Sequence, residues 1–322
     1  MTPANRTPPA ARAIRTGDRR ALARAISQIE NRDPAVEPVV RALYAESRPG
    51  AIVGITGPLG VGKSSLINLV VARLRELERT VAVVAVDPSS PYTGGSVLGD
   101  RIRFERRADD RGVFFRSMAS RGQVGGLAAA TREAARLMAA AGFDVVLLET
   151  VGSGQVDVAI RNIATTSVVV TVPHLGDEVQ TLKAGLFEIA DIFCVNKSDL
   201  PGADHARRDL SELVGLAAGR SGWTPLVVGT STSPPSGIEE LWAAVEAHEQ
   251  FLDRAGERAT AERRRLSAEI VELAQERVGR ELSERLERDP ELRKLLDAVV
   301  GRSIDPRTAA ERLARGAARS SR

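Results

Sequence analysis

Apolar residues between positions 18 and 46 recur at helical spacing: Leu22, Ala25, Ile26 and Ile29, then Val36, Val39, Val40 and Leu43, with Asp33-Pro34 between the two sets. They predict two short helices. From residue 51 the rhythm changes. Runs rich in β-branched residues at 51–56, 81–86, 143–148, 167–172, 190–195 and 225–229 alternate with amphipathic stretches such as 64–78, 126–141 and 204–218. Short continuous apolar runs separated by helices predict βαβ units, and hence an α/β fold with a doubly wound, mostly parallel sheet covered on both faces. Beyond Phe251 the pattern is helical only, with Leu266, Ile270, Leu273, Val278, Leu282 and Leu286 among many charges, ending at Asp289-Pro290. The expected organisation is an N-terminal tail with helices over 1–48, the α/β domain over 49–255, and a helical C-terminal arm over 256–322. Such an arm packs on its own domain or makes a dimer, and periodicity does not separate the two.

Composition mostly excludes. With 322 residues, 43% apolar and 27% charged, the chain is globular in character and large enough to need no covalent staple. A single cysteine, Cys194, forbids an internal disulfide framework and points to a reducing, cytoplasmic setting. Three histidines and three methionines argue against a His-rich metal store or a Met-rich binding surface. No apolar run approaches the ~18–20 residues of a membrane span, so no membrane association is expected. The Ala-, Arg- and Pro-rich start lacks the apolar stretch of a secretory signal and reads as a frayed tail, with an organelle presequence the second reading. Basic charge concentrates at the ends: residues 1–20 hold five Arg and one Asp, and 302–322 hold six Arg, one Asp and one Glu. The body between them is net acidic, which argues against nucleic acid as a partner. One bias is informative. Of 45 cations only Lys63, Lys183, Lys197 and Lys294 are lysine, so lysine is expected where arginine's planar fork fails.

The first predicted strand runs into Gly57-Pro58-Leu59-Gly60-Val61-Gly62-Lys63-Ser64-Ser65 and then a helix. This is G-x-x-x-x-G-K-[ST] in its strand–loop–helix setting, the P-loop. Gly57, Gly60 and Gly62 let successive N–H groups, that of Val61 included, face inward as an anion nest. The helix N-terminus at Ser65 adds partial positive charge. Lys63 can reach the β/γ-phosphates and Ser64 can offer its hydroxyl to Mg²⁺. Asn196-Lys197-Ser198-Asp199 follows the strand expected over 190–195 and matches N-K-x-D. Asp199 would accept the N1–H and 2-amino group of guanine, which adenine cannot supply, and Lys197 would lie along the base. After the next strand, Ser231-Thr232 can supply a backbone contact to the guanine carbonyl. Asp87 and Glu149 end two other strands and can hold Mg²⁺ directly or through water. Gly152, in Glu149-Thr150-Val151-Gly152, can sense a γ-phosphate through its N–H. No residue stands out as the positioner of an attacking water.

Longer strings then carry a specific resemblance. Val86-Asp87-Pro88-Ser89-Ser90, Gly94-Gly95-Ser96-Val97-Leu98-Gly99-Asp100-Arg101, Arg116-Ser117-Met118-Ala119-Ser120-Arg121-Gly122, Glu149-Thr150-Val151-Gly152 and Gly176-Asp177-Glu178-Val179-Gln180 resemble the MeaB/ArgK-type GTPases over about 20–255. These include G-protein chaperones of adenosylcobalamin-dependent acyl-CoA mutases. The resemblance implies a Mg²⁺-dependent, GTP-hydrolysing enzyme that binds methylmalonyl-CoA mutase or a relative, gates its cofactor loading and protects it. It also implies that Lys63 is catalytic, that Asp87 and Glu149 are metal-linked acids, and that Asp100 is a switch residue. The stretch with Asp177, Glu178, Gln180 and Lys183 is implied as a second switch facing the mutase, and the arm as a homodimer element. Pro58-Leu59, Ser153 and Val156-Asp157 depart from the family pattern, the last two within a switch. The alternative is an ATP- or GTP-dependent, kinase-like regulator of basic amino-acid transport, against which Asp199 argues by selecting guanine.

Overall fold

The β-branched runs become strands of one sheet. In the computed structural model, which describes residues 7–44, 51–87, 110–119, 124–150, 160–173, 186–217 and 222–320, these are β1 (Ala51–Thr56), β2 (Val81–Asp87), β3 (Val113–Ala119), β4 (Val145–Thr150), β5 (Thr166–Thr171), β6 (Ile192–Val195) and β7 (Leu226–Gly229). Their order is β3-β2-β4-β1-β5-β6-β7, with every neighbouring pair parallel. Alternation along each strand feeds two cores. Val81 and Val83 of β2 join one with Leu66, Ile67, Val70 and Leu74 of α4 (Lys63–Glu76), while Ala82, Val84 and Val86 join the other. That second core also takes Leu137 and Met138 of α5 (Val124–Ala140) and Leu210 and Val214 of α6 (Ala203–Ala217). Helices therefore cover both faces, as a parallel sheet of continuous apolar strands requires. The helix α7 (Ile238–Arg254) adds Leu241, Trp242 and Val245 to the α4 side.

Three differences from the sequence-based expectation have local causes. β3 went unpredicted because Arg116 and Ser117 interrupt its apolar run. Among the described residues it is an edge strand with one strand neighbour, and Arg116 is absorbed by Glu30 and Ser27 of α2 (Arg19–Glu30). The N-terminal tail is not frayed throughout. Pro9–Arg15 forms α1, with Ala11 and Ile14 fully buried beside α2 and α3 (Glu37–Tyr44). Asp18 caps α2 by accepting the N–H groups of Arg20 and Ala21, and Arg19 Nη1 donates to the Val113 carbonyl (2.7 Å), which fastens these helices to β3. The helical pattern also does not end at Asp289-Pro290. Pro290 and Pro306 each open a new helix, a position where a missing N–H costs nothing.

Two compact units divide the chain, Met1–Glu262 and Arg263–Arg322. The helix α8 (Glu257–Arg288) starts in the first, and the second holds its remainder with α9 (Pro290–Val300) and α10 (Pro306–Ser320). Within the second unit Ile270, Val271, Val278, Leu296 and Val300 are exposed.

Candidate nucleotide site

Parallel pairing brings the C-terminal ends of all seven strands to one edge of the sheet. The chain leaves β1 toward β2 but leaves β4 toward β5, so a crevice opens above β1, where ligands of open α/β sheets gather. Gly57, Gly60 and Gly62 there have φ of 140°, 81° and 93°. Two have no room for a side chain: a Cβ on Gly57 would lie 2.1 Å from the Val170 oxygen, and one on Gly62 would lie 2.6 Å from Asn196 Nδ2. Gly62 hands the chain to α4, so the N-terminal end of that helix, with its partial positive charge, lies at the phosphate loop. Lys63, the first helical residue, is 6% exposed and donates from Nζ to the carbonyls of Gly57 (2.7 Å) and Pro58 (2.8 Å). Ser64 Oγ donates to Glu149 Oε1 (2.5 Å) from the end of β4, and Thr150 Oγ1 donates to Thr56 Oγ1 (2.8 Å) across β4 and β1. Ser65 follows on the exposed side of the turn.

The second half of the site comes from the ends of β6 and β7. Asn196, fully buried, donates from Nδ2 to the Val61 carbonyl (2.7 Å) and accepts from Thr230 Oγ1 on its Oδ1 (3.1 Å). Lys197, at φ 58°, extends Nζ to the Gly60 carbonyl (3.2 Å). Asp199 stands exposed at the rim, its Oδ1 held by the buried Ser231 hydroxyl (2.7 Å). Ser231 and Thr232 form β8, which pairs antiparallel with β9 (Pro235–Ser236). Burial pushes the Cys194 thiol up to about 12, against a weaker opposite pull from Thr230. Cys194 is thus an unreactive thiol under the site.

The structure thus brings Gly57, Gly60, Val61, Gly62, Lys63, Ser64, Ser65, Glu149, Asn196, Lys197, Asp199, Ser231 and Thr232 to one edge. Asp87 arrives there as the last residue of β2, paired with Ala119. Asp100, Gly152, Asp177, Glu178, Gln180 and Lys183 lie outside the described residues. Sequence reasoning missed Thr230, whose hydroxyl fixes the Asn196 amide. The available signal was a polar residue closing an apolar strand one position before Ser231. The donor set suits a polyphosphate with a hard divalent cation: an anion nest, a buried ammonium, a hydroxyl on a carboxylate, and a rim carboxylate for a base.

Comparison with known proteins places this constellation. The family model "Methylmalonyl Co-A mutase-associated GTPase MeaB" matches residues 22–287. Over 301 residues, 92% of this chain and 93% of the relative, it is 44% identical to a protein of Pyrococcus abyssi (strain GE5 / Orsay) described as a GTPase. It is 33% identical to GTPase ArgK of Escherichia coli (strain K12) over 313 residues, 94% of both chains. It is 35% identical over 230 residues to the Mus musculus protein named methylmalonic aciduria type A homolog, mitochondrial, covering 70% of this chain and 55% of that protein. The crystal structure of an LAO/AO transport system kinase superposes with a TM-score of 0.72 at 26% identity, covering 95% of both chains. The seven-stranded parallel sheet with its P-loop and this family match make the chain a GTP-hydrolysing member of the MeaB family of methylmalonyl-CoA mutase-associated GTPases.

Proposed function

We propose that the chain works with GTP and Mg²⁺ as a chaperone of an adenosylcobalamin-dependent acyl-CoA mutase, methylmalonyl-CoA mutase or a relative, gating cofactor loading and protecting the mutase. The nucleotide part rests on one observation: the Asp199 carboxylate, oriented by Ser231, stands on the same sheet edge as the Lys63–Ser64 turn. Guanine offers two adjacent donors to a carboxylate so held, and adenine does not. Lys63 would exchange two neutral carbonyl acceptors for phosphate oxygens, a charge-assisted contact. Ser64, Asp87 and Glu149 would hold the metal, which would supply positive charge against the negative charge that develops on the phosphates. Gly152 is read as the γ-phosphate sensor, Asp100 as a switch residue, and Asp177, Glu178, Gln180 and Lys183 as the mutase-facing switch. These roles rest on the family resemblance.

The mutase part is supported by the family's description and by the name of the mouse relative. A nucleotide-state-dependent pull-down of a cobalamin-dependent mutase, with faster GTP hydrolysis in the complex, is the expected result. Absence of such a partner across the cell's acyl-CoA mutases would end the chaperone reading while leaving the GTPase. A second reading, a kinase-like regulator of basic amino-acid transport, is favoured by the likeness to the LAO/AO transport system kinase. Competition binding separates the two, because equal affinity for ATP and GTP supports only the second.

The same reading takes 49–255 as the GTPase domain, 1–48 as its N-terminal helices and 256–322 as a homodimerisation arm, in a cytoplasmic protein. The exposed Ile270, Val271, Val278, Leu296 and Val300 supply apolar surface for a second copy. Light scattering should return twice 34.4 kDa, and a monomer at micromolar concentration would exclude the arm's role. Among the described residues no helix is long and apolar enough to cross a membrane.

A further inference from the structure

The base loop and the phosphate loop meet through one buried amide. Asn196 Nδ2 donates to the Val61 carbonyl (2.7 Å), and a Cβ on Gly62 would lie 2.6 Å from that nitrogen, so the amide is pressed against the turn that opens α4. This contact fixes which way the amide faces. A backbone carbonyl only accepts, so the nitrogen is on the Val61 side and Oδ1 is left toward Thr230 Oγ1, at 3.1 Å. Oδ1 also only accepts, so the single hydroxyl proton of Thr230 goes to it. Thr230 then presents lone pairs to its other neighbour, Cys194 Sγ at 3.1 Å, and the thiol is the donor. Burial, which pushes that thiol up to about 12, keeps its proton in place. The hydrogen bonds therefore run in one direction, from Cys194 on β6 to Thr230 after β7, to Asn196, to the phosphate loop. All three side chains are fully buried.

We infer that Cys194 and Thr230 are positioning residues for guanine-nucleotide binding: they fix the Asn196 amide and, through it, the separation between the base loop and the phosphate loop. An Asp199 carboxylate and a Lys63 ammonium can hold the two ends of one nucleotide only while their loops keep that separation. Thr230 grips the base loop with its backbone as well. Its N–H donates to the Val195 carbonyl (2.9 Å) and its carbonyl accepts the Ser198 N–H (2.8 Å), so it holds the chain on both sides of Asn196. Lys197 Nζ makes a second crossing to the phosphate loop, at Gly60 (3.2 Å), but from an exposed position where water competes. Water does not reach the buried row. Removing one member leaves a polar atom there that nothing else satisfies. The same row explains a cysteine in a strand whose other residues are Ile192, Phe193 and Val195. A valine at 194 would also be apolar and buried, but it would donate nothing.

Cys194 is the chain's only cysteine, so the S–H stretching band in the infrared spectrum of the full-length protein belongs to it alone. Without nucleotide, that band should lie at the lower frequency of a hydrogen-bonded thiol. It should move to higher frequency in Thr230→Val, which keeps the branched shape and loses the hydroxyl. Calorimetry should find GTP and GDP bound on the order of 10-fold more weakly by Thr230→Val, and close to the parent affinity by Thr230→Ser. The row's role rests on the nucleotide site proposed above, and the measurements separate the two. A parent protein that does not bind GTP overturns both. A parent that binds GTP, with Thr230→Val binding it equally well or leaving the S–H band unmoved, overturns the positioning role alone. If Thr230→Val does not fold, Cys194→Ala and Cys194→Ser carry the binding test. The alanine should weaken GTP binding several-fold and the serine, which keeps a donor, should recover most of it; equal affinities in the two overturn the inference.

Discussion

At the residue scale, the site's side chains rest on partners that a ligand can displace. Lys63 and Lys197 both end on phosphate-loop carbonyls, those of Gly57, Pro58 and Gly60. In a chain with 41 arginines and four lysines, this explains why these positions are lysine: a compact ammonium fits where a planar fork would not. Lys63→Ala should lower GTP affinity on the order of 10²-fold or more, since charge-assisted phosphate contacts contribute about 1.5–3 kcal/mol each. Calorimetry showing unchanged affinity would refute the assignment. Asp199→Asn replaces one acceptor oxygen by a donor and should move preference from GTP to xanthosine triphosphate, by on the order of 10²-fold. Competition binding that still favours GTP would mean that Asp199 does not read the base.

At the element scale, two junctions carry tests. Gly57 joins β1 to the phosphate loop against the β5 backbone, and no rotamer can relieve a clash with a main-chain oxygen. Gly57→Ala should cost about 1–3 kcal/mol of folding stability, read by urea denaturation, and should weaken nucleotide binding with it. Asp144 begins the β4 turn by accepting the N–H and hydroxyl of Thr80 (both 2.7 Å). Burial works to raise its carboxyl, but the Thr80 hydrogen bonds with Arg79 and Arg75 outweigh it, so it lies below the ordinary value. A carboxylate lowered in this way stabilises the fold above about pH 4 and stops doing so as pH falls through its folded value. The stability gap between the protein and Asp144→Ala should therefore close on acidification. A gap that stays constant down to the acid transition would rule this out. Elements with regular apolar patterns were legible before any coordinates. β3 and α1 were not, because the first is broken by an arginine whose partner is 86 residues away in sequence, and the second is a short Ala- and Arg-rich helix whose burial depends on α2 and α3.

At the scale of the whole molecule, a partner mutase should bind in a nucleotide-dependent way and quicken hydrolysis, which a stimulated-turnover assay reads. The sequence by itself determined what chemistry acting over a few residues can determine: the strands and helices with an unbroken apolar pattern, the phosphate loop, the N-K-x-D loop and the family they belong to. Periodicity and motif spacing are local properties of the chain, and they survive any arrangement of the strands. Only the tertiary structure decided the strand order that sets β1 between β4 and β5, the pairing of Ser64 with Glu149, and the chain from Thr230 through Asn196 to Val61. It alone also set the Cys194 thiol against Thr230. Each of these contacts joins residues brought together by sheet closure and helix packing, and a buried polar group's partner is set by which elements meet around it.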